Sequence, residues 1–374
     1  MLITVPKEHI LYLFGLMNYL LGYAVQSSFV YVPLLAESFG AGYYQVGLIG
    51  AAYGGAVWLS SLFSGWKSDT VGRQRFMRWG LLLGSAAFAS QILSNSVFTL
   101  ALARGAVGFA LGISLAATIA YAYESGMDMG KFSSYGALGW ISGALTAAVL
   151  THYRLGDIQT LFLLSTVICF MAFLVSRLFQ DTAPKQIIKP PNIWHILRRG
   201  YRIYLAVAFR QIGATAVWAI LPLHMVALGF DEKWVAISWA VTFGTQFVVM
   251  RFLERFSEHK LFALGQICSF LVLFFFAFAS SLVSILAIQG LLGLAWSFLY
   301  VGGLLIIMKS GEERGTASGI FQSTLNLCGA IGPLLGGLIA QFVGVRGVML
   351  FAAAMCIVGF FIAIPKLDKT VGNK

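Results

Sequence analysis

Long apolar runs follow one another along the chain, and short polar clusters separate them. An α-helix needs about 20 apolar residues to cross the hydrocarbon core of a bilayer, and the runs have this length. The pattern predicts an all-α membrane protein with twelve transmembrane helices. Their approximate limits are 9–37, 43–64, 76–94, 97–123, 130–151, 159–179, 200–228, 233–251, 260–280, 283–309, 315–342 and 346–366.

The composition also indicates a membrane protein. Hydrophobic residues make up 59% of the chain and charged residues only 10%, whereas a soluble domain has about 25% charged residues. The first apolar run, 10–36, is too long for the core of a signal peptide, so we expect it to remain as the first span. The four cysteines lie within apolar runs and lack the spacing of a metal site. We therefore expect neither a metal nor a cofactor.

The basic residues are divided unequally between the two sides of the predicted membrane protein. Because the number of spans is even, both termini lie on the same side. Of the 25 Lys and Arg residues, 20 fall on that side and only Arg154, Lys233 and Arg346 fall on the other. Cytoplasmic loops are enriched in Lys and Arg. We expect a multi-pass protein of the cell membrane with both termini in the cytoplasm, and the net charge of +11 is a topology signal rather than a nucleic-acid site.

Traces of an internal repeat are present. The segment "SGMDMG" at 125–130 aligns with "SGEERG" at 310–315, and 104–108 aligns with 289–293 at the same offset of 185. Six spans restore the starting side, so the two copies run in the same direction, as in transporters with parallel repeats. Further matches pair Asp69, Gly72 and Arg75 with Glu254, Ser257 and Lys260, and pair Pro33, Leu34 and Gly40 with Pro222, Leu223 and Gly229.

The repeat divides the chain into two halves. We expect an N-terminal six-helix bundle over 1–179 and a C-terminal six-helix bundle over 200–374. The segment 180–199 between them is rich in proline and basic residues, which is typical of a cytoplasmic linker.

A short charged segment, "GWKSDTVGRQR", lies between spans two and three. Its residues Gly65, Asp69, Gly72, Arg73 and Arg75 form the pattern G-x-x-x-D-x-x-G-R-x-R. A tight turn between antiparallel helices needs glycine, and basic side chains hold a loop at the cytoplasmic headgroups. On these residues alone, a positively charged turn with no further role stays an alternative. The pattern and its position resemble the signature loop of the major facilitator superfamily.

The resemblance implies a fold and a mechanism. It implies two pseudo-symmetric six-helix bundles that face each other around a central cavity and open it alternately to each side. It also implies a conformational gate, in which Asp69 meets the N-terminal dipole of span eleven near Gly315 and Thr316 and favours the outward-facing state. Glu254 is the matching gate residue of the second half, and we expect it near Gly130 in span five.

Two arginines, Arg104 and Arg210, fall within predicted spans, whereas no Asp or Glu clearly does. A charge in the bilayer needs partners or a water-filled cavity. Arg104 partly resembles a fourth-span family motif that is linked to proton coupling, which makes it the coupling candidate. Arg210 lies about 15 Å into span seven. There it binds the negative group of a solute or, as the alternative, fixes helix packing.

Several polar and aromatic residues share helical faces in spans one, seven, ten and eleven. In the family, spans one, four, seven and ten line the central cavity. For each residue alone, an interhelical hydrogen bond is the alternative. The candidate substrate-binding residues are Asn18, Gln26, Arg104, Arg210, Gln211, Trp218, Gln289, Trp296, Gln322 and Asn326.

Two further segments concern the direction of transport. The segment "CGAIGPLLGG" in span eleven resembles an antiporter signature, with close helix packing and a kink at Pro333 as the alternative. The segment "YGALGW" in span five is similar to segments of sugar and nucleoside symporters of the superfamily. The direction of transport therefore stays open.

These features predict a secondary active transporter of a small organic solute and not an enzyme. The sequence has no H-E-x-x-H motif or nucleophile elbow and no nucleotide-binding loop. We favour proton-coupled export of drug-like or amphipathic compounds. The alternatives are a proton-coupled symporter or exchanger of an organic anion or sugar, and a non-transporting solute receptor on the same fold. The expected partners are the solute, protons or another coupling ion, and membrane lipids, and we expect a monomer.

Overall fold

The computed structural model describes residues 7–127, 129–153, 155–179, 193–310 and 314–367, and these residues are helical almost throughout. The α-helices are α1 Lys7–Phe29, α2 Val32–Ser38, α3 Tyr43–Val71, α4 Arg73–Ser90, α5 Val97–Glu124, α6 Met129–Tyr153, α7 Ile158–Ser176, α8 Ile193–Ala227, α9 Glu232–Met250, α10 Glu258–Phe276, α11 Leu282–Lys309, α12 Arg314–Val343 and α13 Val345–Leu367. Short 3-10 helices follow α4 at Gln91–Leu93 and α9 at Leu253–Arg255.

Helices α1 and α2 form one interrupted span. α2 begins at Val32 and has Pro33 in its first turn, where the missing N–H of proline breaks no helical hydrogen bond. When the two are counted together, the described residues contain the twelve helical spans that the sequence predicts. Eight of these spans are long and apolar enough to cross a membrane by length and composition. The predicted all-α membrane fold is confirmed.

The contacts between helices give each span a direction. The backbone of Gly139 on α6 lies against the carbonyl of Tyr19 on α1, and Gly143 lies against that of Tyr23, so α1 and α6 run in parallel. Gly47 of α3 lies against Pro333 of α12, and Gly54 lies against Gly329, so α3 and α12 run in opposite directions. We call the end where α1 begins and α13 ends the basic end, and the opposite end the far end.

The helices pack as two groups. In the first half, α1 packs on α6 and α7, and α5 packs on α3 and α4. In the second half, α8 packs on α12 and α13, and α10 packs on α11 and α13. The halves meet mainly where α3 packs on α12 and α6 packs on α9.

The repeat is visible in the local geometry. Gly40 after α2 has φ +84° and Gly229 after α8 has φ +86°, a conformation that glycine adopts without strain. The N–H of each donates to the carbonyl three residues before it, Glu37 in one case and Val226 in the other, at 2.8 Å. The two matched segments therefore end their helices in the same way. Most of the predicted linker, 180–192, lies outside the described residues.

Two predicted helix limits were wrong. The predicted turn after span two is helical: α3 continues to Val71 and α4 begins at Arg73, so that only Gly72, with φ +111°, connects them. Likewise, α8 begins at Ile193, within the predicted linker 180–199. The apolar length of a run marks the thickness of the bilayer, and polar residues can continue a helix beyond it into water.

Candidate functional site

The contact between α3 and α12, which we call the glycine interface, brings the two backbones together near the far end. A Cβ atom on Gly54 would lie 2.1 Å from the carbonyl oxygen of Gly329, and one on Gly47 would lie 2.5 Å from that of Pro333. Pro333 lies inside α12 and has no N–H to bond the carbonyl of Gly329, four residues earlier. That carbonyl faces Gly54 instead. The geometry at Pro333 is therefore the close helix packing that the sequence analysis gave as the alternative to an antiporter signature.

The contact between α6 and α9, which we call the aromatic interface, uses side chains. The ring centroids of Trp140 and Phe243 are 4.7 Å apart. Nearer the far end, Lys233 Nζ lies 3.3 Å from His152 Nδ1. The first span adds a bond across the halves, since the Tyr31 hydroxyl donates to the backbone carbonyl of Glu232 at 3.1 Å.

An aromatic cluster lies between the halves and continues the aromatic interface inward. It consists of Phe29, Trp140, Trp218, Trp239 and Phe243. Trp239 is its centre and is only 2% exposed. Its ring centroid lies 5.6 Å from Phe243, 5.8 Å from Trp218 and 6.1 Å from Phe29. The rings come from α1 and α6 of the first half and from α8 and α9 of the second, so both halves build this region.

Three polar groups of this region have no hydrogen-bond partner among the described residues. They are the indole nitrogens of Trp218 and Trp239 and the side-chain amide nitrogen of Gln26. Gln26 is 4% exposed, and its Cβ lies close to Gly143 on α6. It follows Gly22, which packs on Trp140, by one helical turn. Buried polar groups in proteins are usually paired, so these three groups are suited to a ligand.

The two buried arginines lie within separate halves. Arg104 is 2% exposed and its Nη1 donates to Ser28 Oγ and to Gln91 Oε1, both at 3.3 Å. Its guanidinium carbon lies 4.4 Å from the ring centroid of Tyr53 and 5.7 Å from that of Phe29. All these partners belong to the first half, so Arg104 lies beside the aromatic cluster and is held by neutral groups.

Arg210 is fully buried in the second half. Its Nε donates to Ser269 Oγ at 3.1 Å and its Nη1 to Gln211 Oε1 at 2.9 Å. Trp296 covers it, with the ring centroid 5.0 Å from the guanidinium carbon, and packs at a tilt on Tyr300, with ring centroids 5.4 Å apart. Nη2 has no acceptor among the described residues. The structure therefore brings Arg210, Gln211 and Trp296 together, as a group separate from Arg104.

Two candidate solute-binding residues are engaged in interhelical hydrogen bonds within one half. Asn18 Nδ2 donates to the backbone carbonyl of Phe132 on α6 at 2.7 Å. Gln289 accepts from Thr242 at 2.8 Å and donates to Ser238 at 3.3 Å, both on α9. This is the alternative that the sequence left open for each residue. Gln322 and Asn326 are half-buried on α12, and Gln322 Oε1 has no partner among the described residues.

Sequence reasoning missed most of the aromatic cluster. It selected Gln26 and Trp218 but not Trp239 and Phe243, which are four residues apart in span eight and therefore share a helical face. That spacing was the available signal. The sequence prediction relied on the spans that line the cavity in the family, whereas the structure brings spans five and eight into the aromatic cluster.

The charged segment between α3 and α4 is described in part. The guanidinium of Arg73 donates to Ser68 Oγ at 3.4 Å, and Arg75 is exposed. Outside the described side chains lie Gly65, Asp69, Glu254, Gly315 and Thr316. The contact of Asp69 with span eleven and that of Glu254 with span five therefore stay predictions.

Comparison with known proteins identifies the family. A model of the Major Facilitator Superfamily matches residues 12–245 and 203–373. The multi-drug resistance efflux pump PmrA of Streptococcus pneumoniae is 25% identical over 377 residues, which span 91% of each chain. A probable hexose phosphate transport protein of Chlamydia trachomatis is 26% identical over 193 residues, 50% of this chain and 42% of that protein. A solved structure of nucleoside transporter NupG superposes with a TM-score of 0.76 at 15% identity and covers 96% of this chain and 99% of its own.

The family model extends over nearly the whole chain, and the solved structure has the same fold from end to end. The predicted family, the fold and the absence of enzymatic function are thereby confirmed. The chain belongs to the major facilitator superfamily and is a multi-pass membrane protein that works as a secondary transporter of small molecules.

Proposed function

We propose that this transporter exports amphipathic organic compounds in exchange for protons. The aromatic cluster carries the proposal, because it is apolar, has the buried rings of Trp239 and Phe243 at its centre and is contributed by both halves. Ring faces give apolar contact and stacking to solutes of different shapes. Similarity over 91% of the chain to a protein named as a multi-drug efflux pump supports the same function.

The cluster also suits alternating access. Trp140 contacts Phe243, and Phe29 contacts Trp239, so each pair joins one half to the other. When the halves rock, these pairs separate and solute among the rings is released to one side. A solute that contacts both halves stabilises the state in which they are closed around it.

Orientation and gating are part of the proposal. The basic end faces the cytoplasm. The two units that move against each other are the bundles 1–179 and 200–374, which a linker joins. Asp69 and Glu254 act as gates at the basic end. Since Gly72 alone connects α3 to α4, a tilt of α3 is passed on to α4. One chain contains both halves of the site, so we propose a monomer.

Arg104 is the proposed coupling residue. It carries a charge beside the aromatic cluster, and the partners in its two side-chain hydrogen bonds, Ser28 and Gln91, are neutral. An uncompensated buried charge responds strongly to any change in its surroundings. Protonation elsewhere or solute entry next to Phe29 therefore changes the free energy of this part of the first half.

Inverted membrane vesicles from a host without its own pumps test the proposal. An acid interior should drive uptake of lipophilic fluorescent compounds, and a protonophore should abolish it. Arg104→Gln should weaken the pH-driven part of uptake at least tenfold, whereas the control Arg177→Gln, which removes an exposed charge, should leave it unchanged. Uptake that ignores the protonophore contradicts proton coupling, and solute binding without uptake favours a receptor.

Arg210 favours a second function, the exchange of an organic anion. Its Nη2 has no acceptor among the described residues, and a carboxylate or phosphate pairs well with a guanidinium. The relative named as a hexose phosphate transport protein supports this candidate. Counterflow of glucose 6-phosphate in proteoliposomes should then be lost in Arg210→Gln and partly kept in Arg210→Lys. Counterflow that is absent in the wild type or unchanged in Arg210→Gln rules it out.

A further inference from the structure

The polar groups of the aromatic cluster indicate which chemical groups its solute carries in addition to an apolar body. This inference rests on the proposed function, because it concerns the same site. Two indole N–H groups, those of Trp218 and Trp239, are buried without an acceptor among the described residues. Their ring centroids are 5.8 Å apart, which places the two unpaired donors in the same region between the halves. A buried donor that lacks an acceptor is costly, and an acceptor on the solute removes that cost.

The polar groups of the cluster determine whether the solute must present hydrogen-bond acceptors or donors. An indole nitrogen donates and cannot accept, so Trp218 and Trp239 require acceptor atoms. Gln26 adds a third unpaired group, its amide nitrogen, and an amide can present either its donor or its acceptor side by turning. The unpartnered acceptor of Gln322 lies on α12, a helix that contributes no ring to the cluster.

The surrounding charge acts in the same direction. A cation is attracted to ring faces, but the guanidinium of Arg104 already lies 5.7 Å from the ring centroid of Phe29. Among the described residues, no carboxylate bonds to Arg104 or lies in the cluster. A cationic solute would be repelled by Arg104 and would place its own N–H groups against the indole N–H groups.

We infer that the preferred solutes are planar aromatic compounds that carry hydrogen-bond acceptors and no positive charge. Such a solute places its ring among the rings of the cluster and accepts hydrogen bonds from Trp218 and Trp239. Lipophilic cations of the same size are the poorer substrates.

Three probes that share a naphthalene ring test the inference on the purified full-length protein. They are 2-acetylnaphthalene, a neutral carbonyl acceptor; 1-(2-naphthyl)ethylamine, a cationic donor at neutral pH; and 2-naphthoate, an anion. Affinity is obtained from the rise in unfolding temperature with probe concentration. Each probe is compared between wild type and variants, which cancels its partition into detergent.

The ketone should bind at least tenfold more tightly than the amine. Trp218→Phe and Trp239→Phe, which keep a ring and remove the N–H, should each weaken ketone binding about three- to tenfold and leave amine binding nearly unchanged. Gln26→Leu should have a smaller effect of the same kind. The matched control is Trp234→Phe, because Trp234 lies outside the cluster, beside Lys233 at the far end.

Amine binding as tight as ketone binding overturns the inference, and so does the binding of neither probe. The inference is also overturned if ketone binding is weakened by none of the three variants Trp218→Phe, Trp239→Phe and Gln26→Leu. Because there are three variants, the test can still be made if one of them does not fold. Binding of 2-naphthoate that Arg210→Gln abolishes and the tryptophan variants do not affect assigns the acceptor to Arg210 instead. Amine uptake in response to acid that exceeds the uptake of matched vesicles without the protein would keep the proposed export while this inference fails.

Discussion

At the glycine interface α3 and α12 meet backbone to backbone, whereas at the aromatic interface α6 and α9 meet through their side chains. Gly54 leaves no room for even one carbon atom against Gly329. Trp140 and Phe243 instead pack ring against ring between their helices, with ring centroids 4.7 Å apart. The two interfaces join the same halves near the same end, yet they depend on opposite properties of their residues.

This difference predicts different responses to substitution. Backbones in contact cannot adjust, so the glycine interface should be lost in a single step when atoms are added. Side chains have rotamers and contribute contact area in proportion to their size, so the aromatic interface should weaken gradually when atoms are removed. The glycine interface sets how closely the halves approach, and the aromatic interface is where we propose that the solute binds.

The largest effect is expected from Gly54→Ala. The added Cβ would lie 2.1 Å from the carbonyl oxygen of Gly329, whereas the Cβ of the neighbouring control Gly55→Ala would lie 3.7 Å from Ala330 Cβ, an ordinary contact. We expect Gly54→Ala to disfavour the state closed at the far end by about 3 kcal/mol, a shift of about 150-fold.

Spin labels at Tyr44→Cys and Phe342→Cys, both at exposed far-end positions, measure this opening after Cys268 is replaced by serine. Gly54→Ala should lengthen their distance and stop transport, while Gly55→Ala should do neither. Equal distances in the two variants would mean that the backbones separate easily and that the contrast between the interfaces is wrong.

A smaller, graded effect is expected at Trp140. Trp140→Ala removes the ring pairing with Phe243, which contributes about 1.5 kcal/mol at most beyond the area that it buries, and should shift the same spin-label equilibrium about tenfold. Trp140→Phe keeps a ring opposite Phe243 and should lose less than half of that free energy. An abrupt loss in both variants, as large as in Gly54→Ala, would contradict the gradual behaviour expected of side chains.

The fold could be predicted because the bilayer imposes its thickness on the sequence. The spans, their number and the family follow from apolar length, basic loops and the glycine-containing charged segment. Helix ends could not be predicted in the same way. Around Gly72 and before Gly200, polar residues continue the helix outside the bilayer, and nothing in the apolar pattern distinguishes such a helix from a loop.

The site was harder to predict for two physical reasons. A polar residue in a span attracts attention, but the sequence does not show its partner, and Asn18 and Gln289 are satisfied by neighbouring helices. An aromatic residue in an apolar span does not differ in polarity from its neighbours, so the sequence does not mark it as a site residue. Trp239 becomes informative only when its burial and its unpartnered N–H are seen together.

A single hydrogen bond between the halves should matter less than the rings. Tyr31→Phe removes the bond from the Tyr31 hydroxyl to the carbonyl of Glu232 and should open the far end by about 1 kcal/mol, or about fivefold. The control is Tyr23→Phe, because the Tyr23 hydroxyl bonds to Thr146 within the first half. The spin-label distance should change in Tyr31→Phe alone; a change of the same size in Tyr23→Phe would show that the bond across the halves has no special effect.

The smallest effect on the interfaces is expected from Asp157, which caps α7 near the far end and lines a cavity of about 270 Å³ with Tyr31 and Glu232. Its carboxylate accepts from the backbone N–H and the hydroxyl of Thr160 at 3.0 and 3.1 Å, and the backbone bond from Thr160 is the main cause that lowers the pKa of Asp157. The charged cap therefore stabilises the fold at pH values above the ordinary pKa of aspartate, and this contribution is lost as the pH falls through the lowered pKa.

Asp157→Ala should cost about 1 kcal/mol of unfolding free energy at neutral pH and flatten the acid side of the stability profile. Asp157→Asn, which keeps an acceptor oxygen, should cost less and flatten it equally. Thermal unfolding between pH 3 and 7 measures both effects. The far-end spin-label distance should stay at the wild-type value in both variants, because the cap belongs to one helix of the first half; a shift as large as that of Tyr31→Phe would mean that α7 transmits strain to the aromatic interface.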